Sequence, residues 1–262
     1  MNLDLSGKNA MVCGSTQGIG RAIAEELALL GASVTLVARS EEKLRQIQTK
    51  LPKPAGQEHH FLCADFSKPE ELKDKLSLHL QDGKAYHILV NNTGGPAAGP
   101  ISGANTTEFL SAFNNHLICN HILAQALLPG MKNAQFGRII NIISTSVKQP
   151  LKGLGVSNTI RAAVANWSKT LATEVASFGI TVNNVLPGAT KTARLESIIS
   201  NKATKTGHQV NEVEIEMLTE IPAGRFATAE EIAAAAAFLA TPAAAYITGI
   251  NVPVDGGRTS CL

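Results

Sequence analysis

The stretch Gly14-Ser15-Thr16-Gln17-Gly18-Ile19-Gly20 decides the fold of this chain. It follows a short apolar run at residues 9–13, and it opens a helical pattern at residues 19–30. Glycines here let the backbone bend sharply, and the amides of a helix N-terminus can then receive a pyrophosphate. A lone glycine motif is a weak signal, but its position between a strand and a helix is the context that dinucleotide binding requires. The stretch therefore predicts a pyrophosphate-binding turn, and the alternative is a tight turn without a ligand.

Strand-like and helical segments alternate along the rest of the chain. Strands are predicted at 9–13, 33–38, 60–64, 88–90, 138–143, 181–186 and 251–254, and helices at 19–30, 41–51, 69–80, 107–131, 156–178 and 229–240. Several of the strands are apolar almost throughout, which is typical of strands covered on both faces. The alternation predicts an α/β fold, a Rossmann-type doubly wound parallel sheet in a single domain over residues 1–262.

One segment, at about residues 193–219, departs from this alternation. It is polar, mixed in charge and without a strand pattern. Two interpretations stay open, a disordered insertion and a mobile helical lid over a substrate. Its place after the sixth strand favours the lid, because ligands of open α/β sheets bind at the carboxyl ends of the strands.

The composition excludes several classes of partner. Hydrophobic residues make up 44% of the 262 residues, and the formal net charge is only +2. No block of Lys and Arg suggests a nucleic-acid or membrane surface, and no apolar run reaches the length of a membrane span. The cysteines Cys13, Cys63, Cys119 and Cys261 have no metal-binding spacing, so we expect reduced thiols and no metal site. Without a signal-peptide pattern, a cytoplasmic protein is expected.

The end of the second predicted strand bears on the choice of cofactor. It reads Val37-Ala38-Arg39-Ser40 and has no acidic residue that would bind a ribose 2′-hydroxyl and repel a 2′-phosphate. Arg39 offers a planar cation suited to phosphate, and Ser40 and Ser15 offer hydroxyl donors. These residues predict NADP(H), and the alternative is that Arg39 is merely solvated.

The Gly-x3-Gly-x-Gly spacing resembles that of the short-chain dehydrogenase/reductase family, and the resemblance continues along nearly the whole chain. Asn91-Asn92-Thr93-Gly94 is similar to the family's NNAG segment, with Thr93 in place of Ala. Pro187-Gly188 resembles the segment that contacts nicotinamide, and the C-terminal signatures follow at 221–225, 247–249 and 254–257. The resemblance implies a cofactor site made of Gly14, Ser15, Gln17, Gly18, Ile19, Gly20, Arg39, Ser40, Asp65, Asn91, Thr93, Gly94, Arg161, Pro187, Gly188, Thr190 and Thr192.

The resemblance breaks at the catalytic positions. Family members use a Ser that orients the carbonyl, a Tyr that transfers the proton, a Lys four residues later, and an Asn on the preceding long helix. Counting back from Pro187-Gly188 places Ser144 on the Ser, Ser157 on the Tyr, Arg161 on the Lys and His116 on the Asn. A seryl hydroxyl cannot replace a phenol whose pKa is about 10, and an arginine keeps a fixed charge. These four residues are the predicted catalytic set.

His116 is the new group expected to titrate near pH 7. We predict that it supplies the proton after hydride transfer, either directly or through water and Ser157. The alternative is that it only hydrogen-bonds a backbone carbonyl between helices. The two tyrosines, Tyr86 and Tyr246, lie at strand approaches and are expected to be packing residues.

Three functions stay open. The resemblance implies an NADP(H)-dependent oxidoreductase that reduces a carbonyl polarised by Ser144, most like the 3-oxoacyl-carrier-protein reductases. The second is reduction of a conjugated C=C bond in an enoyl or dienoyl thioester, where Arg161 would stabilise an enolate; dienoyl-CoA reductases also have Ser at the Tyr position. The third is a cofactor-binding protein with little turnover, because Tyr and Lys are both replaced.

The expected partner is a small-molecule or acyl-thioester substrate. The residues that would select the substrate are expected around 96–99, 148–155 and 193–219. None of these segments contains a motif that identifies a particular substrate. The resemblance also implies a homo-oligomer, a tetramer formed through the two long helices and the C-terminal segment.

Overall fold

The computed structural model, which describes residues 1–261, contains a parallel sheet of seven strands in the order β3-β2-β1-β4-β5-β6-β7. Every neighbouring pair of strands is parallel. The strands are β1 Asn9–Cys13, β2 Ser33–Ala38, β3 His60–Cys63, β4 Ile88–Asn91, β5 Gly137–Ile142, β6 Ile180–Pro187 and β7 Asn251–Val254. The predicted Rossmann-type doubly wound sheet is confirmed.

Helices cover both faces of the sheet. They are α1 Gly18–Leu29, α2 Glu41–Gln48, α3 Pro69–His79, α4 Thr106–Phe113, α5 Cys119–Asn133, α6 Gly155–Val175, α7 Ala193–Thr206, α8 Val210–Thr219 and α9 Ala229–Ala240. The helix predicted at 107–131 is present as an unbroken helical stretch, but a π-helical turn, Asn114–Ile118, interrupts its α-helical hydrogen bonding between α4 and α5. No helix within residues 1–261 is both long enough and apolar enough to cross a lipid bilayer.

Two apolar layers hold the helices on the sheet. On one face, α1 and α9 pack through small residues such as Ala24, Ala28 and Ala236 against strand residues such as Leu36 and Ile140. Small side chains allow these two helices to approach the sheet and each other closely. On the other face, α3, α5 and α6 cover a second layer. Each fully buried Leu or Ile contributes roughly 1.5–3 kcal/mol, so the sheet is a rigid base for the loops at its carboxyl edge.

β1 and β4 are adjacent strands. From β1, the strands β2 and β3 follow towards one edge of the sheet, and from β4 the later strands follow towards the other edge. The glycine stretch follows β1, and the segment 92–95 follows β4. Loops that leave neighbouring strands in opposite directions open a crevice at this point, and open α/β sheets bind ligands there. The fold therefore places the predicted motifs at one edge.

The segment 193–219 folds into α7 and α8, so the disordered interpretation of it is wrong. The two helices have a small apolar core of their own, made by Leu195, Ile199, Val213 and Phe226. Lys202 on α7 and Glu216 on α8 also pair across it, 2.8 Å apart. A unit with its own core can move as a body, as a lid must.

The two tyrosines have different surroundings. Tyr86 is buried, and its hydroxyl lies 2.8 Å from Thr35 Oγ1 and 2.7 Å from His79 Nε2. Tyr246 is fully exposed on this chain, so the prediction that it packs inside is wrong. Neither tyrosine lines the cleft at the carboxyl edge.

Candidate active site

A cleft of about 1800 Å³ runs along the carboxyl edge of the sheet. It brings together sixteen of the predicted site residues: Gly14, Gln17, Gly18, Ile19, Arg39, Ser40, Asp65, Thr93, Gly94, Ser144, Ser157, Arg161, Pro187, Gly188, Thr190 and Thr192. Parts of the three expected substrate-selecting segments also line it, at 98–99, 149–154 and 193–206. The remaining predicted residues, Ser15, Gly20, Asn91 and His116, lie behind its walls.

The glycine turn is shaped by close backbone contacts. Gly14 and Gly18 have φ angles of +59° and +53°, a region that favours glycine. A Cβ atom on Gly20 would lie 2.3 Å from the carbonyl oxygen of Gly14, closer than any real contact. Asn92 ties the turn to β4 by donating from Nδ2 to the carbonyl oxygens of Cys13, at 3.2 Å, and Gly14, at 3.3 Å. Asn92 belongs to the Asn91-Asn92-Thr93-Gly94 motif, but the sequence does not predict this contact.

The turn and the first helix fit the pyrophosphate of a dinucleotide. Gln17 is the N-cap of α1 but its side chain forms no capping hydrogen bond, and the first turn of α1 has no acidic residue. The first amides of α1 are therefore free for an anion, and the helix dipole favours one. Arg39 is exposed at the end of β2, where a 2′-phosphate would need a cation.

Asp65 stands at the end of β3, in the same part of the cleft. Its carboxylate accepts the N–H of Ser67 at 2.9 Å, and this hydrogen bond, more than the nearby Arg39, lowers its pKa. An ionised carboxylate accepts hydrogen bonds only, so Asp65 suits an adenine amino group.

Two predicted cofactor contacts point elsewhere. The side chain of Ser15 is buried, and its hydroxyl donates to the carbonyl oxygen of Val37 at 3.4 Å, so it is not the predicted phosphate donor. The side chain of Asn91 is buried within the sheet and donates from Nδ2 to Asn141 Oδ1 at 2.8 Å. Gly20 contributes by the close packing of the turn rather than by lining the cleft. Sequence spacing alone does not show which way a side chain points.

Ser144 and Ser157 face the cleft near the carboxyl end of β5. Ser144 Oγ accepts the N–H of Ser146 at 3.1 Å, which fixes the oxygen while its own proton stays available for donation. Ser157 lies in the first turn of α6 and is half-buried. No other hydrogen bond is formed by either hydroxyl within the described residues. The arrangement can present one or two hydroxyl donors to a substrate oxygen.

Arg161 is one turn beyond Ser157 on α6 and is only 8% exposed. Its Nη1 donates to the carbonyl oxygen of Ile142 at 2.7 Å, and its Nη2 donates to that of Thr93 at 3.5 Å. Burial, with a smaller contribution from the charge of Arg194, lowers the pKa of Arg161 to about 10. The guanidinium group therefore stays charged at neutral pH, inside a wall of the cleft.

His116 lies in the π-helical turn and is 2% exposed. Its Nδ1 shares a hydrogen bond with Thr93 Oγ1, and not with a backbone carbonyl as in the alternative considered from sequence. Burial, and then the charge of Arg161, lowers the pKa of His116 to about 2. The prediction that His116 titrates near pH 7 is therefore wrong, because the imidazole is neutral there.

His116 also borders a different space from the other catalytic candidates. It lines a smaller cavity of about 280 Å³, formed by residues 94–97, 107–108, 111–112 and 115–116. Thr93 lines the main cleft, so its hydroxyl stands between the imidazole and the cleft. Asn115 and His116 both belong to the π-helical turn and line this cavity, and such turns are frequent at functional sites. Nothing in the sequence predicted the turn.

Comparisons with known proteins agree with the fold and the cleft. A family profile described as Enoyl-(Acyl carrier protein) reductase matches residues 14–259. The chain is 37% identical over 253 residues to the 3-oxoacyl-[acyl-carrier-protein] reductase FabG of Haemophilus influenzae, covering 97% of this chain and 98% of that protein. The fold and site thus define an oxidoreductase that uses a nicotinamide dinucleotide. The chain belongs to the short-chain dehydrogenase/reductase family.

Solved structures support the same assignment. The L-sorbose reductase of Gluconobacter frateurii, complexed with NADPH and L-sorbose, is 32% identical with a TM-score of 0.92, and the match covers 100% of both chains. YwfH, an NADPH-dependent reductase involved in bacilysin biosynthesis, is 29% identical with a TM-score of 0.91, covering 98% of this chain and 100% of that chain. The predicted cofactor, NADP(H), is the one named for both neighbours.

Proposed function

We propose that this chain is an NADP(H)-dependent reductase of a carbonyl group, in a 3-oxoacyl or ketone substrate. The observation that carries the proposal is the position of Ser144, whose hydroxyl faces the same cleft as the glycine turn and Pro187-Gly188. When bound, NADPH supplies the hydride. The residues proposed to hold it are those of the glycine turn, with Arg39 toward the 2′-phosphate and Asp65 toward the adenine.

Ser144 orients and polarises the carbonyl. Its Oγ is held by the N–H of Ser146, so the hydroxyl proton can donate to the substrate oxygen without rotating the side chain away. The buried cation of Arg161 adds a fixed positive potential as negative charge develops on that oxygen. A charge that is already in place costs no reorganisation during the reaction, which makes such groups effective.

The proton follows a path from Thr93. A neutral imidazole cannot release a stored proton as an imidazolium does, but it can accept a proton at one nitrogen and donate from the other. We infer that Thr93 gives its hydroxyl proton to the substrate oxygen and receives one from Nδ1 of His116. In the same concerted shift, water in the cavity of about 280 Å³ protonates Nε2, and solvent neutralises the hydroxide that is left. One proton is consumed and the imidazole exchanges its tautomer.

Two variants test this path. His116→Asn and Thr93→Ala each introduce the residue that the family resemblance implies at that position, and they break the relay at different points. We expect each to slow single-turnover NADPH oxidation by about 10-fold or more, while the Kd for NADPH is unchanged. An unchanged rate in His116→Asn would exclude the imidazole. Ser157→Ala is the control, and a comparable loss there would move the path to Ser157.

The function itself is tested with a substrate panel. We expect NADPH oxidation with ketones or 3-oxoacyl thioesters, and none with the matching saturated thioesters. Ser144→Ala provides the matched control, because it removes the donor and leaves the glycine turn intact. Tight NADPH binding without oxidation of any substrate would instead identify a cofactor-binding protein.

A second candidate is reduction of a C=C bond in an enoyl thioester. The description of the matching family profile favours it. So does the buried charge of Arg161, because no tyrosine within residues 1–261 lines the cleft. Hydride transfer to an enoyl thioester leaves an enolate, which a fixed cation stabilises without a strong acid nearby. Enoyl thioesters in the same panel decide between the two reactions.

We further propose that the protein is a cytoplasmic homotetramer. Exposed apolar side chains support an assembly: Leu110 and Phe113 on α4, and Tyr246 before β7, all face solvent on the single chain. Aromatic residues such as Phe113 and Tyr246 are enriched at the cores of protein interfaces. Light scattering coupled to gel filtration tests it, and a monomer at micromolar concentration would contradict it.

A further inference from the structure

Two arginine side chains border one small space beside Gly95 in the cleft. A Cβ atom on Gly95 would lie 3.4 Å from Nη2 of Arg194 and 3.7 Å from Nη2 of Arg161. Arg161 comes from α6 and Arg194 from α7, so two separate elements bring these charges together. The charge of Arg194 is close enough to contribute to the lowered pKa of Arg161.

Neither arginine forms an ion pair within residues 1–261. Their contacts are with backbone carbonyl oxygens: Arg161 donates to Ile142 and Thr93, and Arg194 donates from Nη2 to Pro96 at 2.7 Å. Some of the other cations that line the cleft are paired. Lys202 has Glu216 at 2.8 Å, and Arg258 has Glu220. Five further cations of the cleft form no ion pair within residues 1–261 either, but all five are exposed: Arg39, Lys43, Lys152, Lys191 and Lys205. Arg161 differs from them because it is buried.

This arrangement is costly unless an anion joins it. Buried charges in proteins are normally paired, because taking an ion out of water costs several kcal/mol. Here a buried guanidinium has a like charge beside it, which raises the cost. Carbonyl dipoles compensate in part, but the site still lacks a full negative charge.

The position of the pair indicates which anion it receives. Arg161 contacts the carbonyl oxygen of Ile142, two residues before Ser144, and it lies one turn beyond Ser157. Arg194 contacts Pro96, in a segment expected to select the substrate. The groups suited to the cofactor's phosphates, the N-terminus of α1 and Arg39, belong to the other strand ends, β1 and β2. Of the two arginines, the family resemblance implies a cofactor contact for Arg161 only. An anion at the pair would thus lie beside the carbonyl that Ser144 orients.

We propose that the substrate carries a carboxylate next to its reacting carbonyl and that Arg161 and Arg194 bind this carboxylate. The proposal rests on the carbonyl reduction proposed above. An oxo acid, NADPH and one proton then give a hydroxy acid and NADP⁺. The planar guanidinium of Arg194 can bind the carboxylate through two parallel hydrogen bonds, and opening of α7 and α8 would admit it.

Matched substrates and variants test the proposal. Short 2-oxo and 3-oxo acids are compared with their primary amides, using NADPH oxidation by the wild type, Arg194→Gln, Arg194→Lys and Arg258→Gln. Charge-assisted hydrogen bonds predict a preference of about 10–100-fold in kcat/KM for the acid. Arg194→Gln should remove this preference without changing the Kd for NADPH, and Arg194→Lys should restore part of it. Arg258→Gln, which loses a paired cation of the same cleft, should retain it.

A binding measurement separates this inference from the reaction. Calorimetry measures whether the NADP⁺ complex binds oxamate, which is a carboxylate, or oxamide, its neutral counterpart. This measurement requires no turnover. We expect oxamate alone to bind, and Arg194→Gln to abolish its binding.

Failure of oxamate to bind, or equal kcat/KM for acids and amides, would overturn the carboxylate site while leaving carbonyl reduction intact. A weaker Kd for NADPH in Arg194→Gln would overturn it by assigning Arg194 to the cofactor. Oxamate binding without oxidation of any substrate would instead refute the reaction and keep the site.

Discussion

The two halves of the cleft are built on different principles. In the half around Gly14, Gly20 and Asn92, the backbone turns so tightly that there is no space for a Cβ atom at Gly20. Cofactor binding in this half is expected to depend on glycine. In the half around Arg161 and His116, the proposed function depends on the charge states of buried groups. The first half contains the glycine motif of the family, whereas the family resemblance predicts replaced catalytic residues in the second half. Binding of the cofactor and transfer of the proton can therefore change independently in one fold.

The largest effect is expected in the first half. Gly20→Ala places a methyl group 2.3 Å from the carbonyl oxygen of Gly14, so the turn must shift. We expect a loss of about 3 kcal/mol in the free energy of unfolding and no measurable NADPH binding. Gly103→Ala is the control, because a Cβ atom there meets nothing within 4 Å. Urea unfolding and NADPH titration measure both; equal behaviour of the two variants would refute a close-packed turn.

The second prediction separates the two halves. Ser144→Ala should lower kcat by about 10²–10³-fold, because the donor to the developing oxyanion is lost. The Kd for NADPH should stay within about 2-fold, since the glycine turn is untouched. Ser146→Ala keeps the backbone N–H that holds Ser144 and removes only a buried hydroxyl without a hydrogen-bond partner. A similar loss of kcat in both variants would indicate a structural role for Ser144.

The first half was the more predictable from sequence, for a physical reason. Backbone turns depend on glycine spacing and on flanking strands and helices, and all of these are visible in the sequence. The directions of the Ser15 and Asn91 side chains could not be predicted, because spacing in the sequence does not determine which way a side chain points.

The chemistry of the second half was less accessible. The identity of His116 suggested an acid near pH 7, but its burial beside Arg161 lowers its pKa to about 2. Burial and charge neighbours arise from the whole fold. The proximity of Arg161 and Arg194 likewise depends on how the whole fold places α6 and α7.

The third prediction concerns pH and stability. His116 has a folded-state pKa of about 2 and an ordinary value of 6.5, so between these values the unfolded chain binds the extra proton. Stability from neutral His116 is full above about pH 6.5 and is lost as the pH falls. The wild type should lose about 2 kcal/mol more than His116→Asn between about pH 7.5 and pH 5. Urea unfolding at both pH values measures this, and parallel losses would place a charged His116 in the folded protein.

The smallest effect is expected at Arg39. Arg39→Ala should weaken NADPH binding by about 10-fold and leave NADH binding unchanged, because only the contact with a 2′-phosphate is lost. Arg45→Ala on α2 is the control, since Arg45 pairs with Glu41 at 2.6 Å. Parallel weakening of both cofactors, or tighter binding of NADH by the wild type, would remove Arg39 from the cofactor site.

The most direct test of carbonyl reduction is to follow the hydride itself. NADPH labelled with deuterium at the transferring position is incubated with a ketone and with an enoyl thioester, and the products are analysed by mass spectrometry. We predict one deuterium on the carbinol carbon of the alcohol with the wild type, formed about 10²–10³-fold more slowly by Ser144→Ala. Deuterium on the β-carbon of a saturated thioester, or no transfer despite tight NADPH binding, would contradict this assignment.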